Sequence, residues 1–174
     1  FIYKFIIVES TVDHQGKTKK LNFEINKYKR FKDKIKYIIV DDTPNQIRKP
    51  HTGGESLVEK HQRNSIINGL KNSKENDLIV ISDLDEIPNP KKLITFDVKK
   101  RFAVFKQKHF YYKFNLQSAK HPHWYGSRIC VKKYLKSPQW LRNLKFKKRP
   151  LWRIDKLRLN NIIESGGWHF CNLK

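Results

Sequence analysis

Three short apolar runs constrain this chain most. Residues 3–8 (Tyr-Lys-Phe-Ile-Ile-Val), 35–40 (Ile-Lys-Tyr-Ile-Ile-Val) and 78–81 (Leu-Ile-Val-Ile) are β-branched and strand-length. Each ends in acid: Glu9, then Asp41 and Asp42, then Asp83 with Asp85 and Glu86. Between the first two, Leu21, Ile25, Tyr28 and Phe31 recur at three- and four-residue steps, which predicts an amphipathic helix. A second helix is predicted over residues 55–71. Strand–helix alternation of this kind predicts an α/β domain with parallel strands. In such sheets ligands bind beyond the carboxyl ends of the strands, so the expected topology collects the acids on one rim.

At 174 residues the chain suits one domain, 1–174. No apolar run reaches the roughly 20 residues that span a bilayer, and no signal peptide is readable. The chain has no Met, and its first strand-like run begins almost at residue 1. The N-terminus is therefore read as not the native start. Cys130 and Cys171 form no CxxC pair, so neither a zinc motif nor a redox motif is expected, and two free thiols fit a reducing compartment. An intracellular, cytoplasmic setting is expected on that ground.

Lys plus Arg number 38 against 16 Asp plus Glu, a net charge of +22. Such a field draws anions, including phosphates, nucleotides and nucleic acid, without choosing among them. With 13% aromatic residues the chain is no disordered tail.

The second half is less regular. Strands are expected over residues 102–116, a loop at Trp124-Tyr125-Gly126-Ser127, and a short helix over 137–146. Ile162-Ile163 and Trp168-His169-Phe170 are apolar segments on either side of Gly166-Gly167.

Asp83-Leu84-Asp85-Glu86 is the sharpest chemical signal. Side chains two apart on an extended strand point the same way. Clustered carboxylates repel unless a cation joins them, and oxygen ligands suit Mg²⁺ or Mn²⁺. The plainer reading is a charged surface turn. His169 is a second candidate ligand, or else a core histidine bonded to a carbonyl. Arg63 carries a phosphate-binding fork, or is a surface arginine. Glu9 touches a nucleotide, positions a loop, or caps one. Trp124, Tyr111 and Tyr112 have faces that suit a sugar or base, or the core.

Taken in order, Phe5-Ile6-Ile7-Val8-Glu9-Ser10, Gly16-Lys17, Gln62-Arg63-Asn64, Ile81-Ser82-Asp83-Leu84-Asp85-Glu86-Ile87-Pro88 and Gly167-Trp168-His169-Phe170 resemble glycosyltransferase family 17. That family includes the beta-1,4-mannosyl-glycoprotein 4-beta-N-acetylglucosaminyltransferases. The resemblance implies a Rossmann-like GT-A fold with a mostly parallel central sheet. It implies a UDP-sugar donor, UDP-N-acetylglucosamine, and inversion at the anomeric carbon onto a glycan or glycoprotein hydroxyl. Asp85 would then bind Mn²⁺ or Mg²⁺ directly, Asp83 would lie near the ribose or behind the metal, and His169 would complete the sphere. Arg63 and Glu9 would serve the nucleotide. Glu164 is the expected general base, with Glu86 the alternative. Animal relatives imply a Golgi lumen if an anchor precedes this chain.

Three rivals stand beside this reading. A basic nucleic-acid binder fits the charge but shows no recognisable motif, so no nucleic-acid partner is expected. A metal-dependent nuclease also uses paired aspartates but needs a second metal site. A sugar-binding member without activity would have little reason to keep the acidic cluster.

Overall fold

The computed structural model describes residues 2–48, 56–145 and 161–173. Its strands are β1 (Phe5–Ser10), β2 (Ile35–Val40), β3 (Leu78–Ile81), β4 (Glu86–Pro88), β5 (Phe102–Tyr111), β6 (His123–Val131), β7 (Ile162–Ile163) and β8 (Gly167–Cys171). The α-helices are α1 (Leu57–Asn64), α2 (Pro90–Leu93) and α3 (Pro138–Asn143). The chain divides into two compact units. One holds residues 1–73 with 137–139; the other holds 74–136 with 140–174. Among the described residues no helix is long and apolar enough to cross a membrane.

In the first unit β1 and β2 pair in parallel, Phe5 opposite Ile35 through Ser10 opposite Val40. The expected amphipathic helix between them is a 3-10 segment, Ile25–Lys34, broken at Tyr28 and burying no residue. Its sequence carries Lys27, Lys29, Arg30, Lys32 and Lys34 with no acid in the first turn, so like charges crowd each turn. The Tyr28 ring stacks on Phe23 at 5.3 Å instead. The second expected helix is shorter than predicted. α1 ends at Asn64 and a 3-10 turn carries on to Gly69. Gly69 lies against β1 so closely that a Cβ there would sit 2.5 Å from the Ile6 side chain. The expected helix start at Glu55 and the expected end of the later helix at Phe146 lie outside the described residues.

In the second unit six strands form one sheet in the order β3-β6-β5-β8-β4, with β7 also on β5. This corrects the expected Rossmann-like, mostly parallel central sheet of GT-A type. β3 takes an antiparallel partner, β6, from Leu78 opposite Val131 to Ile81 opposite Arg128. β5–β6 and β4–β8 are antiparallel too, while β5–β8 and β5–β7 are parallel. The reason lies in β6. Its first residues, Trp124 to Ser127, were expected to loop, yet they continue a ladder whose far end buries Ile129, Cys130 and Val131. That strand supplies β3 with a partner.

The sheet also has to curl. β3 and β4 are its two ends in strand order, four steps apart, or roughly 19 Å if flat. Yet only Ser82 to Asp85 separate them, and Ile81 to Glu86 spans at most about 17 Å fully extended. Curling brings β4 onto β6, where the Ser127 hydroxyl donates to Glu86 at 3.2 Å. The core inside holds Phe96, Ala103, Phe105, Ile129 and Val131, with Val80, Leu93, Tyr134 and Ile163 packed against it.

Candidate functional site

The acidic motif is the link between the two ends of that sheet. Asp83, Leu84 and Asp85 lie between β3 and β4 and on neither strand, while Glu86 opens β4, so the two-residue alternation that would aim Asp83 and Asp85 together lapses. Leu84 at its tip is fully exposed. The two aspartates serve different partners.

Asp83 turns to Arg142, whose Nη2 donates to its Oδ2 at 2.6 Å. The same guanidinium donates to both oxygens of Glu86, at 2.8 and 3.3 Å. Glu86 also accepts from the Trp124 indole at 2.8 Å, the Ser127 hydroxyl and the Asp83 amide. Its side chain is only 1% exposed. A carboxylate so enclosed is tolerated because a charged donor faces it and its lone pairs are filled. Gly126 makes room, since a Cβ there would collide with Glu86 and with the Gln107 amide.

Asp85 turns to His169. Its Oδ2 lies 3.1 Å from His169 Nε2, joining segments 84 residues apart. Backbone pairing sets this up. Glu86 stands opposite His169 in the β4–β8 ladder, and the Phe170 amide donates to the Asp85 carbonyl at 2.9 Å. Gly167 permits it: at φ +130 its missing Cβ would otherwise overlap the Ile87 carbonyl.

The His169 imidazole is 5% exposed and packs in a cluster with two other rings. Trp124 stacks on it at 4.6 Å and 13°, and His109 faces it at 4.7 Å and 40°. His109, 3% exposed, stands directly opposite His169 in the parallel β5–β8 pairing. Its Nδ1 meets the His121 carbonyl at 3.1 Å. Among the described residues His109 Nε2 and His169 Nδ1 have no hydrogen-bond partner. Burial first, and then the neighbouring His169, pull the His109 imidazole below the usual histidine range.

The remaining sequence candidates are dispersed. Glu164, 65% exposed, pairs with Lys106 at 3.0 Å. Arg63 belongs to the first unit, where it donates to Gln139 at 2.7 Å and Glu59 at 2.5 Å. Glu9 is also there. Its carboxylate accepts from Lys19 at 2.5 Å, the Asn22 amide at 2.7 Å, the Tyr37 hydroxyl at 2.8 Å and the Phe23 amide at 3.0 Å. Burial pushes its pKa up, but these donors outweigh it and hold Glu9 at about 2. Tyr37 is pushed up to about 12 by burial and by Glu9.

The donor set suits a hard divalent cation only in part. Among the described residues no three His, Cys, Asp or Glu side chains gather to hold a metal. Asp83 is taken by Arg142, which leaves Asp85 and His169 as the two neighbouring side chains of the motifs that could hold one. An oxygen and an imidazole nitrogen side by side suit an ion such as Mn²⁺ that keeps other positions for phosphate or water. The unpartnered His169 Nδ1 shows that the ring's hydrogen bonding is incomplete with Asp85 alone.

Sequence reasoning missed Arg142 and His109 and left Trp124 undecided. Arg142 lies in a lysine-rich background that hides any single cation. His109 sits in Lys108-His109-Phe110, which reads as ordinary strand. Period-two alternation over β5 was the available signal: Gln107 and His109 fall at buried positions that alternate with Lys106 and Lys108.

Comparison with curated proteins and with solved structures gives no match. A family model described as glycosyltransferase family 17 matches residues 1–143. That span takes in β1, the acidic motif, His109, Trp124 and Arg142; His169 lies beyond it. The chain belongs to glycosyltransferase family 17, and its chemistry is the transfer of a sugar from a donor to an acceptor.

Proposed function

We propose that this glycosyltransferase depends on a divalent cation, Mn²⁺ or Mg²⁺, and uses a UDP-sugar, UDP-N-acetylglucosamine, as donor, inverting the anomeric carbon as it glycosylates a glycan hydroxyl. One observation carries the reading. The two most distinctive segments of the sequence, Asp83-Leu84-Asp85-Glu86 and Gly167-Trp168-His169-Phe170, meet as a carboxylate and an imidazole 3.1 Å apart.

Asp85 and His169 would hold the cation. Bound there, it would neutralise charge growing on the diphosphate leaving group. Asp83 is held by Arg142. Trp124 walls the imidazole and keeps water from one of its faces. In the transfer itself the acceptor oxygen bonds to the anomeric carbon as the carbon–phosphate oxygen bond breaks. The acceptor proton passes to Glu164. Of the two carboxylates considered for that role Glu164 is open to solvent, whereas Glu86 is enclosed by donors. Base assistance of this kind contributes about 10²–10⁴-fold, so Glu164→Gln is expected to lower kcat within that range with little change in donor affinity. Full turnover in Glu164→Gln would remove it as the base.

The test is calorimetry of UDP and UDP-N-acetylglucosamine with and without Mn²⁺, on the wild type and Asp85→Ala. Cation-dependent binding that disappears in the variant supports the proposal. No binding of either nucleotide under any condition refutes it and makes nucleic acid the next ligand to try.

A further inference from the structure

Side chains alternate between the two faces of a sheet. In the second unit Gln107, His109, Glu86 and His169 share one face, and all four are buried. The residues between them in sequence belong to the other face. There Ile87 pairs with Trp168, Trp168 with Lys108 and Lys108 with His123, so these four form one row across four strands. Every member of the row is exposed, Ile87 at 48% and Trp168 at 37%. Two residues further on, Phe110 stacks on Phe170 at 5.3 Å, and Phe114, 70% exposed, meets Phe170 edge-on at 5.1 Å. A sheet face turned to water normally carries polar side chains. A contiguous run of aromatic and aliphatic groups on such a face marks an interaction surface.

The charges on this face indicate what its partner carries. Lys106 stands two residues before Lys108 and already seats a carboxylate, that of Glu164, at 3.0 Å. Lys108 has no acid opposite it, since its register partners are Trp168 and His123. In a chain of net charge +22 such a face draws anions. A sugar ring has a flat C–H side that lies on an indole and a rim of hydroxyls that reaches past it. The chain belongs to a sugar-transferring family, so a saccharide is the partner at hand. We infer that the row of Ile87, Trp168, Lys108 and His123 binds a carboxylate-bearing saccharide, with a ring packed on Trp168 and its carboxylate on Lys108. The enzyme thereby holds an acidic glycan at a place other than the Asp85–His169 pair. Trp168 and His169 belong to opposite faces of β8, so this binding depends on neither the donor nor the cation proposed above.

Calorimetry with hexagalacturonate, its methyl ester and oligothymidylate tests this on the wild type, Trp168→Ala, Lys108→Glu and Lys99→Glu, with thermal melting to confirm folding. Lys99 is an exposed lysine on a turn before β5 and serves as the control. Wild type and Lys99→Glu are expected to bind hexagalacturonate alike. Removing the indole is expected to weaken that binding about tenfold, the size typical of an anchoring aromatic. Lys108→Glu is expected to weaken it by about as much, because it sets like charges together. The methyl ester keeps the rings and loses the charge, so wild type should bind it less tightly, with no further loss in Lys108→Glu. Hexagalacturonate binding that survives in folded Trp168→Ala and Lys108→Glu, or that falls equally in Lys99→Glu, would mean diffuse charge attraction and overturn the site. Absence of binding to wild type would overturn it too. Oligothymidylate bound more tightly than the saccharide, and lost in Trp168→Ala, would give the face to single-stranded nucleic acid instead. UDP binding is expected to be unchanged in Lys108→Glu, so failure of the saccharide site leaves the donor proposal standing.

Discussion

Replacing Glu9 by Gln separates a structural carboxylate from a nucleotide-binding one. Glu9 collects four donors from Lys19, Asn22, Phe23 and Tyr37. Its side chain is 12% exposed, and Lys19 keeps more contact with water. Burial alone would raise the pKa; the donors bring it from 4.5 to about 2. That displacement corresponds to at most about 3 kcal/mol. Screening at the wet Lys19 side reduces the expected contribution to about 1–2 kcal/mol. The sign is fixed by the direction: a carboxyl whose pKa falls on folding contributes fully above 4.5, and the contribution is lost as pH drops from 4.5 toward 2. Glu9→Gln is therefore expected to lose about 1–2 kcal/mol in urea denaturation at pH 7, a fall of roughly 2–8 °C in Tm. The gap from wild type should narrow through pH 4 and 3. UDP affinity of the folded variant should change little. Equal stability at pH 7, or a gap that stays constant down to pH 3, would refute the reasoning. A selective loss of UDP binding would return Glu9 to the nucleotide.

Arg142→Ala leaves Glu86 buried without its counter-ion and is expected to cost about 3–5 kcal/mol; an unchanged urea midpoint would contradict the ion-pair account. Gly167→Ala forces a Cβ onto the Ile87 carbonyl and should open the β4–β8 pairing. Hydrogen exchange at Phe170, whose amide donates to Asp85, should then accelerate, and unchanged protection would count against the close approach. Cys130 is pushed up to about 12 by burial, while Cys171 is half-buried. A thiol reagent at neutral pH should label Cys171 in the native protein and reach Cys130 only on unfolding.

The strands and the family were legible; the sheet was not. Apolar β-branched runs mark β1, β2 and β3 to within a few residues because periodicity and composition are local properties. Pairing is not local. The acids at the ends of the apolar runs suggested one parallel rim, but β3 finds its partner in β6, whose Trp124-Tyr125-Gly126-Ser127 begins with turn-like residues. Nor does spacing show that Gly126 is there to admit Glu86 and Gln107. His169 drew notice because Gly167-Trp168-His169-Phe170 is distinctive. His109 did not, since its importance depends on the β5–β8 register alone.

The acidic motif shows how far a charge argument reaches. Three neighbouring carboxylates do require a cation, and that inference needs no structure. It cannot name the cation. For Asp83 and Glu86 the charge comes from Arg142, 59 residues from Asp83 and on α3. One guanidinium serves both because its fork of donors reaches both carboxylates. Asp85 is left outside that arrangement, on the far side of an exposed Leu84, with the His169 imidazole as its neighbour. Of the three acids it is the one whose charge still has no fixed cation beside it. For the proposed metal, that division favours Asp85 on electrostatic grounds. It also predicts an order of effects: Asp85→Asn should abolish Mn²⁺ binding and spare the fold, whereas Glu86→Gln should weaken the fold first. Calorimetry and denaturation on the same two variants would read both quantities. The reverse pattern would mean that Arg142 and the metal compete for the same carboxylates.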